Sequence, residues 1–121
     1  MKKSIYNSSG VVKKVQMFNN IHVVSKEKPT LTEHEWNVYL NTLDDTFGFV
    51  TSLKKSYHKL TDIDIRICAL LREGISTGHI STIMNMTPDT LSRRMQRIKS
   101  EKMNQGKYEY SLQMILQGIK G

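Results

Sequence analysis

The stretch "LTDIDIRICALLREGISTGHISTIMNMTPDTLSRRMQRIK", residues 60–99, holds three helix starts and two helix stops in close order. Thr61 is an N-cap candidate, with Asp64 at the third helical position. Leu60 before the cap and Ile65 at the fourth position form a hydrophobic staple. Asp62 and Asp64 also suit the positive end of the helix dipole. Ile63, Ile67, Leu70 and Leu71 supply a buried face, and Gly74 offers a left-handed stop. A second helix starts from Ser76 or Thr77, buries Ile80, Ile83 and Met84, and stops at Asn85. Met86 is an isolated apolar residue in the next turn and reads as an inward plug. Thr87 is the next N-cap, and Pro88 occupies the first helical position, where its missing N–H costs nothing. The predicted helices cover 62–73, 77–84 and 88–103.

The turn between the second and third helices is short, as in a helix-turn-helix unit, whose second helix can enter the major groove of DNA. Ser81, a small residue on the first of the pair, lets the two axes approach. At about 100° per residue, Leu91, Met95 and Ile98 share the core side of the third helix. Asp89, Arg93, Gln96 and Ser100 point away, Ser92 and Arg97 flank them, and Thr90 and Arg94 lie nearer the core edge. Arginine and glutamine are the side chains best shaped for bidentate reading of guanine and adenine edges. Arg93 and Gln96 are therefore the expected base readers, with Arg97 and Thr90 assisting. Arg94, Lys99 and Lys102 are the expected phosphate contacts at the rim. A plain solvated surface would also carry five basic residues against two acidic ones, the count from Thr87 to Lys102.

Working outward, Thr32 and Glu35 form a capping box ahead of a helical stripe of Trp36, Leu40, Leu43, Phe47, Val50 and Tyr57. This stripe reads as core. Gly48 interrupts it, which leaves one long helix or two collinear ones. Upstream, Ile5, Val11, Val12, Val15 and Phe18 suggest a helix within 4–18, weakened by Ser8, Ser9 and Gly10. Residues 19–31 read as a connector, in which Ile21, Val23 and Val24 add a short extended piece. After Gly106 a last amphipathic segment carries Tyr110, Leu112, Met114, Ile115, Leu116 and Ile119. The division expected from these patterns is 1–31, an N-terminal helix and connector; 32–59, an amphipathic helical segment; and 60–121, the helix-turn-helix domain.

The composition is globular and helix-leaning: 38% hydrophobic, 24% charged, two prolines in 121 residues. The net charge of +7 is spread evenly, with nine basic groups in each half. An excess of this size suits a polyanion partner. The lone Cys68 permits no intrachain disulfide and reads as a small core residue. The start "MKKSIYNSSGVVKK" has no apolar h-region, and no apolar run reaches membrane-spanning length. A cytoplasmic protein with no membrane partner is expected. His22, His34, His58 and His79 are scattered, so no metal site is expected, though His79 could meet a phosphate. Asp44/Asp45 and Asp62/Asp64 come with no base or pocket, and no glycine loop cradles a phosphate. Neither catalysis, a cofactor nor a small-molecule ligand is suggested.

The quoted stretch, extended through "SEKM", resembles the LuxR/GerE-type helix-turn-helix. It is most similar to the C-terminal DNA-binding region of Bacteroidetes transcriptional regulators, with their Leu-Thr start, "R-x-C-x-L" helix and basic "R-x-x-R-I-K" helix. The preceding "LTEHEW" and the Leu43, Phe47, Val50, Leu53, Tyr57 stripe resemble the segment ahead of that domain. The resemblance implies an all-α fold: a LuxR-like four-helix domain of the winged-helix-like DNA-binding superfamily, preceded by one or two N-terminal helices. It places the usual contacts on Thr90, Ser92, Arg93, Arg94, Gln96 and Arg97, and with Thr87, Asp89, Lys99 and Lys102 these make up the expected DNA-contacting set. The ending "KSEKMNQG" departs from the family's usual "K-K-L-G". No sensor module accompanies the domain in these residues, so the chain reads as a stand-alone regulator or a piece of a longer one. The expectation is a sequence-specific transcriptional regulator on double-stranded DNA, with room for a homodimer on two half-sites one helical turn apart. The alternatives are a helical protein–protein interaction module and a promoter-binding domain like the fourth region of sigma factors.

Overall fold

Five of the six α-helices among the described residues begin on a serine or threonine hydroxyl. The computed structural model describes residues 6, 9–21 and 29–102, apart from the side chains of 101 and 102. The helices are α1 Gly10–Gln16, α2 Glu33–Phe47, α3 Phe49–Ser56, α4 Asp62–Arg72, α5 Thr77–Ile83 and α6 Pro88–Arg97. A 3-10 turn, Phe18–Asn20, comes after α1, and a π-helical turn, Ile98–Lys102, continues α6. The fold is an all-α bundle, with no strand among the described residues. The predicted segment 110–119 and the valines at 23 and 24 lie outside the described residues.

Local chemistry explains where each helix starts and stops. Thr32 and Glu35 form the expected capping box, at 3.1 and 3.0 Å. Thr61 and Asp64 form a second, at 3.2 and 2.9 Å. Each such cap contributes about 1 kcal/mol. Helix α4 ends in a full Schellman motif: Gly74, at φ 86°, donates to Leu71, and Ile75 donates to Leu70. Helix α5 ends the same way, with Asn85 at φ 55°, Asn85 N–H on Thr82 and Met86 N–H on Ser81. Met86 is half-buried against the core, as a plug should be.

Three expectations change. The stripe after Thr32 forms two helices, one of the two readings left open, but the stripe does not run on through both, because Gly48 takes the left-handed conformation at φ 65°. A left-handed residue rotates the next helix about its axis, so Phe49 and Leu53 are fully buried and Val50 and Tyr57 only partly. Asp44 bridges the break by accepting from the Thr51 N–H at 2.8 Å and the Thr51 hydroxyl at 2.7 Å. It thereby supplies α3 with the cap that a glycine cannot. The second change is Ile63, which is 41% exposed rather than buried. Asp64 takes the inward position beside it. The third is the end of the last helix, which is regular only to Arg97 and then widens. There the Ser100 hydroxyl occupies the Gln96 carbonyl at 2.7 Å, competing with the helical ladder.

One hydrophobic cluster takes residues from all three predicted segments: Val12, Val15 and Phe18; Trp36, Tyr39, Leu43, Phe49 and Leu53; and Ile67 through Ile98. The expected boundaries at 31 and 59 are thus crossed by a shared core. Arg72 stacks over the rings on both sides of Gly48, at 4.3 Å from Phe47 and 5.3 Å from Phe49. Arg66 covers Trp36 at 5.0 Å while pairing with Glu33 at 2.6 Å. Tyr6 and Tyr39 both donate to Glu73 at the end of α4, Tyr39 at 2.9 Å. Cys68 is fully buried at the centre.

This packing makes two effects measurable. Gly48→Ala forces a Cβ into the left-handed region, which costs about 1–2 kcal/mol. Urea unfolding should read that loss, and Gly48→Asn should recover part of it. The second effect concerns alkaline pH. Burial, and after it the Asp64 carboxylate, push the Cys68 thiol up to about 12. Desolvation likewise raises the Tyr6 and Tyr39 phenols. Each group is held neutral by the fold, so its contribution is complete below its ordinary pKa and lost above it. Stability should therefore fall as pH climbs past about 9, less steeply in Cys68→Ala. A thiol reagent at neutral pH should label Cys68 only at the rate of unfolding.

Candidate nucleic-acid interface

Helix α6 is fixed at its start, middle and end. At the start, the Thr87 hydroxyl accepts from the Thr90 N–H at 3.1 Å and donates to the Thr90 hydroxyl at 2.9 Å. Pro88 comes next, at the first helical position. Only Met84–Thr87 separates α5 from α6. Ser81 is buried where the two helices meet, its hydroxyl on the Gly78 carbonyl at 2.8 Å. A shallow cleft of about 210 Å³ remains between them, lined by Thr77, Gly78, Pro88, Leu91, Ser92 and Met95. This is smaller than the roughly 300–1,000 Å³ of small-molecule sites.

At its middle, α6 is tied by charge. Arg94 Nε donates to Asp64 Oδ1 at 2.9 Å, and Arg94 Nη2 donates to the Thr61 hydroxyl at 3.3 Å. Asp64 is fully buried, and Arg94 is 29% exposed. This differs from the expected role of Arg94 as a phosphate contact at the rim: the guanidinium faces the start of α4. The sequence carries no local sign of it, because the partners are thirty residues apart. Hydrophobic burial completes the hold, with Leu91 and Ile98 inside and Met95 half-buried.

The opposite side of α6 is exposed at Asp89, Thr90, Ser92, Arg93, Gln96 and Arg97. All six are among the contacts expected from the sequence, and the structure brings them together on one face. Thr87 is exposed too, although its hydroxyl is already engaged as a cap. Because Thr90 accepts from Thr87, its own proton is left to donate outward. Lys99 is half-buried in the π-helical turn. Lys102 closes that turn, and its side chain lies outside the described residues. Both ring nitrogens of His79 are engaged within the fold, with the Ser76 hydroxyl and the Ile21 carbonyl, at 2.5 and 2.6 Å. They pin the chain after α1 to the start of α5.

Among the described residues no group of three His, Cys, Asp or Glu side chains could hold a metal ion. No helix among them is long and apolar enough to cross a membrane. No protein-family model, curated protein or solved structure matches the chain.

The Asp64–Arg94 tie gives a stability prediction. Arg94→Met strands a buried carboxylate, and breaking such a pair costs about 3 kcal/mol. Asp64→Asn leaves one acceptor oxygen for two donors, Thr61 N–H and Arg94 Nε, so it loses one of these bonds; it strands no buried charge and should cost less. In the double variant the two losses should not add, because the asparagine leaves no stranded charge. Denaturant titration of the four proteins measures the coupling.

Proposed function

We propose that this chain is a sequence-specific regulator of transcription that lays α6 in the major groove of double-stranded DNA. The observation that carries the reading is the division of α6 into a core side and a polar side. Leu91 and Ile98 are buried, while Arg93, Gln96 and Arg97 are exposed together. An α-helix with its side chains is about 10–12 Å across and fits a groove about 12 Å wide. The tight α5–α6 connection is the one a helix-turn-helix unit needs, with α5 crossing the phosphate backbone. Arg93 and Gln96 read base edges, Arg97 and Thr90 assist, and Lys99 and Lys102 meet phosphates. Asp89 and Ser92 lie along the same face and set which bases are tolerated. The net charge of +7 supplies the non-specific attraction that brings the chain to a polyanion. Within this reading the LuxR/GerE resemblance is the nearest family label, and a homodimer on two half-sites is the natural assembly.

Selection of bound sequences from a random duplex pool tests the proposal, since it reports binding, preference and half-site symmetry together. On a selected site, Arg93→Ala should lose about 1–3 kcal/mol and relax preference at one position. Lys99→Ala should weaken all sequences alike and flatten the salt slope by about one. If neither variant differs from the parent, α6 is not the reading element.

A further inference from the structure

The corner between α3 and α4 gathers basic side chains and contains no acidic one. Lys54, Lys55, His58 and Lys59 are all exposed, and residues 52–61 include no Asp or Glu. Lys54 faces the cleft shared with Asp44 and Asp62, so its charge is partly answered. Lys55 and Lys59 take part in none of the ion pairs of the described residues. The corner is held in shape by two backbone bonds, Tyr57 N–H to Leu53 at 2.8 Å and Leu60 N–H to Tyr57 at 3.3 Å.

Thr61 gives this corner a direction, because its hydroxyl accepts from Arg94 at 3.3 Å. Lys59 lies two residues before Thr61, at most about 7 Å along the chain. Arg93 and Arg97 are the helical neighbours of Arg94 on the exposed side of α6. The corner therefore flanks the middle of α6, on the side where Arg94 reaches across to α4.

We propose that Lys55 and Lys59 form a second phosphate-gripping edge, which clasps the DNA backbone bordering the groove that α6 occupies. This rests on the reading of α6 as a DNA-binding helix. The chemistry fits phosphate rather than base recognition: an ammonium on a flexible stem is a point charge without the planar fork that reads guanine. Such contacts add affinity on every sequence and none of the preference. The corner also supplies the positive charge that Arg94 cannot, since its guanidinium is committed to Asp64.

The test is an anisotropy titration of the full chain with a duplex of arbitrary sequence, between about 50 and 200 mM salt. The variant is Lys55→Gln/Lys59→Gln, with circular dichroism to verify the fold. The control is Lys13→Gln. Lys13 is exposed on α1, whose Gln16 bonds to Glu73 at the far end of α4. The eleven residues of α4 put about 16 Å between the two ends. The double variant should flatten the plot of log affinity against log salt by about 1.8, at 0.9 per phosphate contact. The control should leave the slope unchanged. Equal slopes for the parent and the double variant would overturn the second edge while leaving α6 as the reader. A matching loss in the control would overturn it too, by showing attraction spread over the whole surface. If the parent shows no salt-dependent binding to any duplex, the DNA reading itself fails and this edge with it.

Discussion

Asp64 is a carboxylate with no exposed surface, and a charge in that position must be met or it destabilises the fold. The Thr61 backbone N–H and the Arg94 guanidinium both meet it. The first fixes the start of α4, and the second reaches across to α6. Hydrophobic contact alone is non-directional, so Leu91 and Ile98 could stay buried while α6 turned by some tens of degrees. The ion pair removes that freedom, because a donor at 2.9 Å tolerates little rotation. With Arg94 held inward, the 100° step per residue puts Arg93 and Arg97 on the side away from the core. The outward face of α6 is thus set by an arginine that does not belong to it.

The N-terminal half works on the other end of α4. Asn19 offers both ends of its amide to the α4–α5 turn, donating to the Gly74 carbonyl at 2.9 Å and accepting from Ser76 N–H at 2.8 Å. His79 adds its contact with Ile21. These bonds hold the residue that caps α5, and so fix the angle at which α5 hands over to α6. Phe18, fully buried, anchors the segment that carries them. At the other end of that turn, Tyr6, Gln16 and Tyr39 all donate to Glu73. The described part of the first sixty residues therefore braces the helices of the second half and shares their core.

Much of this is legible in the sequence because it rests on local chemistry. The capping boxes at Thr32 and Thr61, the stops at Gly74 and Asn85 and the Thr87-Pro88 start depend on residues within one helical turn of each other. The exposed face of α6 comes from periodicity over ten residues. Gly48 shows where that reach ends: a period can be counted through a glycine, but whether its φ turns positive depends on what packs beyond it. Here the rings of Phe47 and Phe49 must both lie against Arg72, which a continuous helix would place about 200° apart. Ile63 escapes the pattern for a related reason, since an apolar residue next to a buried carboxylate yields the inward position to the group with a partner. Arg94 and His79 escape it because their partners lie 30 and 58 residues away.

Net charge is a poor guide to a polyanion surface until internal duties are subtracted. The excess of +7 is shared evenly between the two halves of the chain, which by itself points nowhere. The fold then commits Lys14 to Glu35, Arg66 to Glu33 and Trp36, Arg72 to two phenylalanine rings, and Arg94 to Asp64. Those four cations are engaged between helices, Lys14 and Arg66 in pairs at the surface. Arg93 and Arg97 stay exposed on α6, and Lys55 and Lys59 at the corner beside it. Among the described residues, the cations left at the surface thus include a group on and around α6, besides Lys13 on α1 and Lys54 at the α2–α3 cleft. Attraction to a phosphate backbone falls off within a Debye length of about 8 Å at physiological salt. At that range, the position of those side chains matters more than the total.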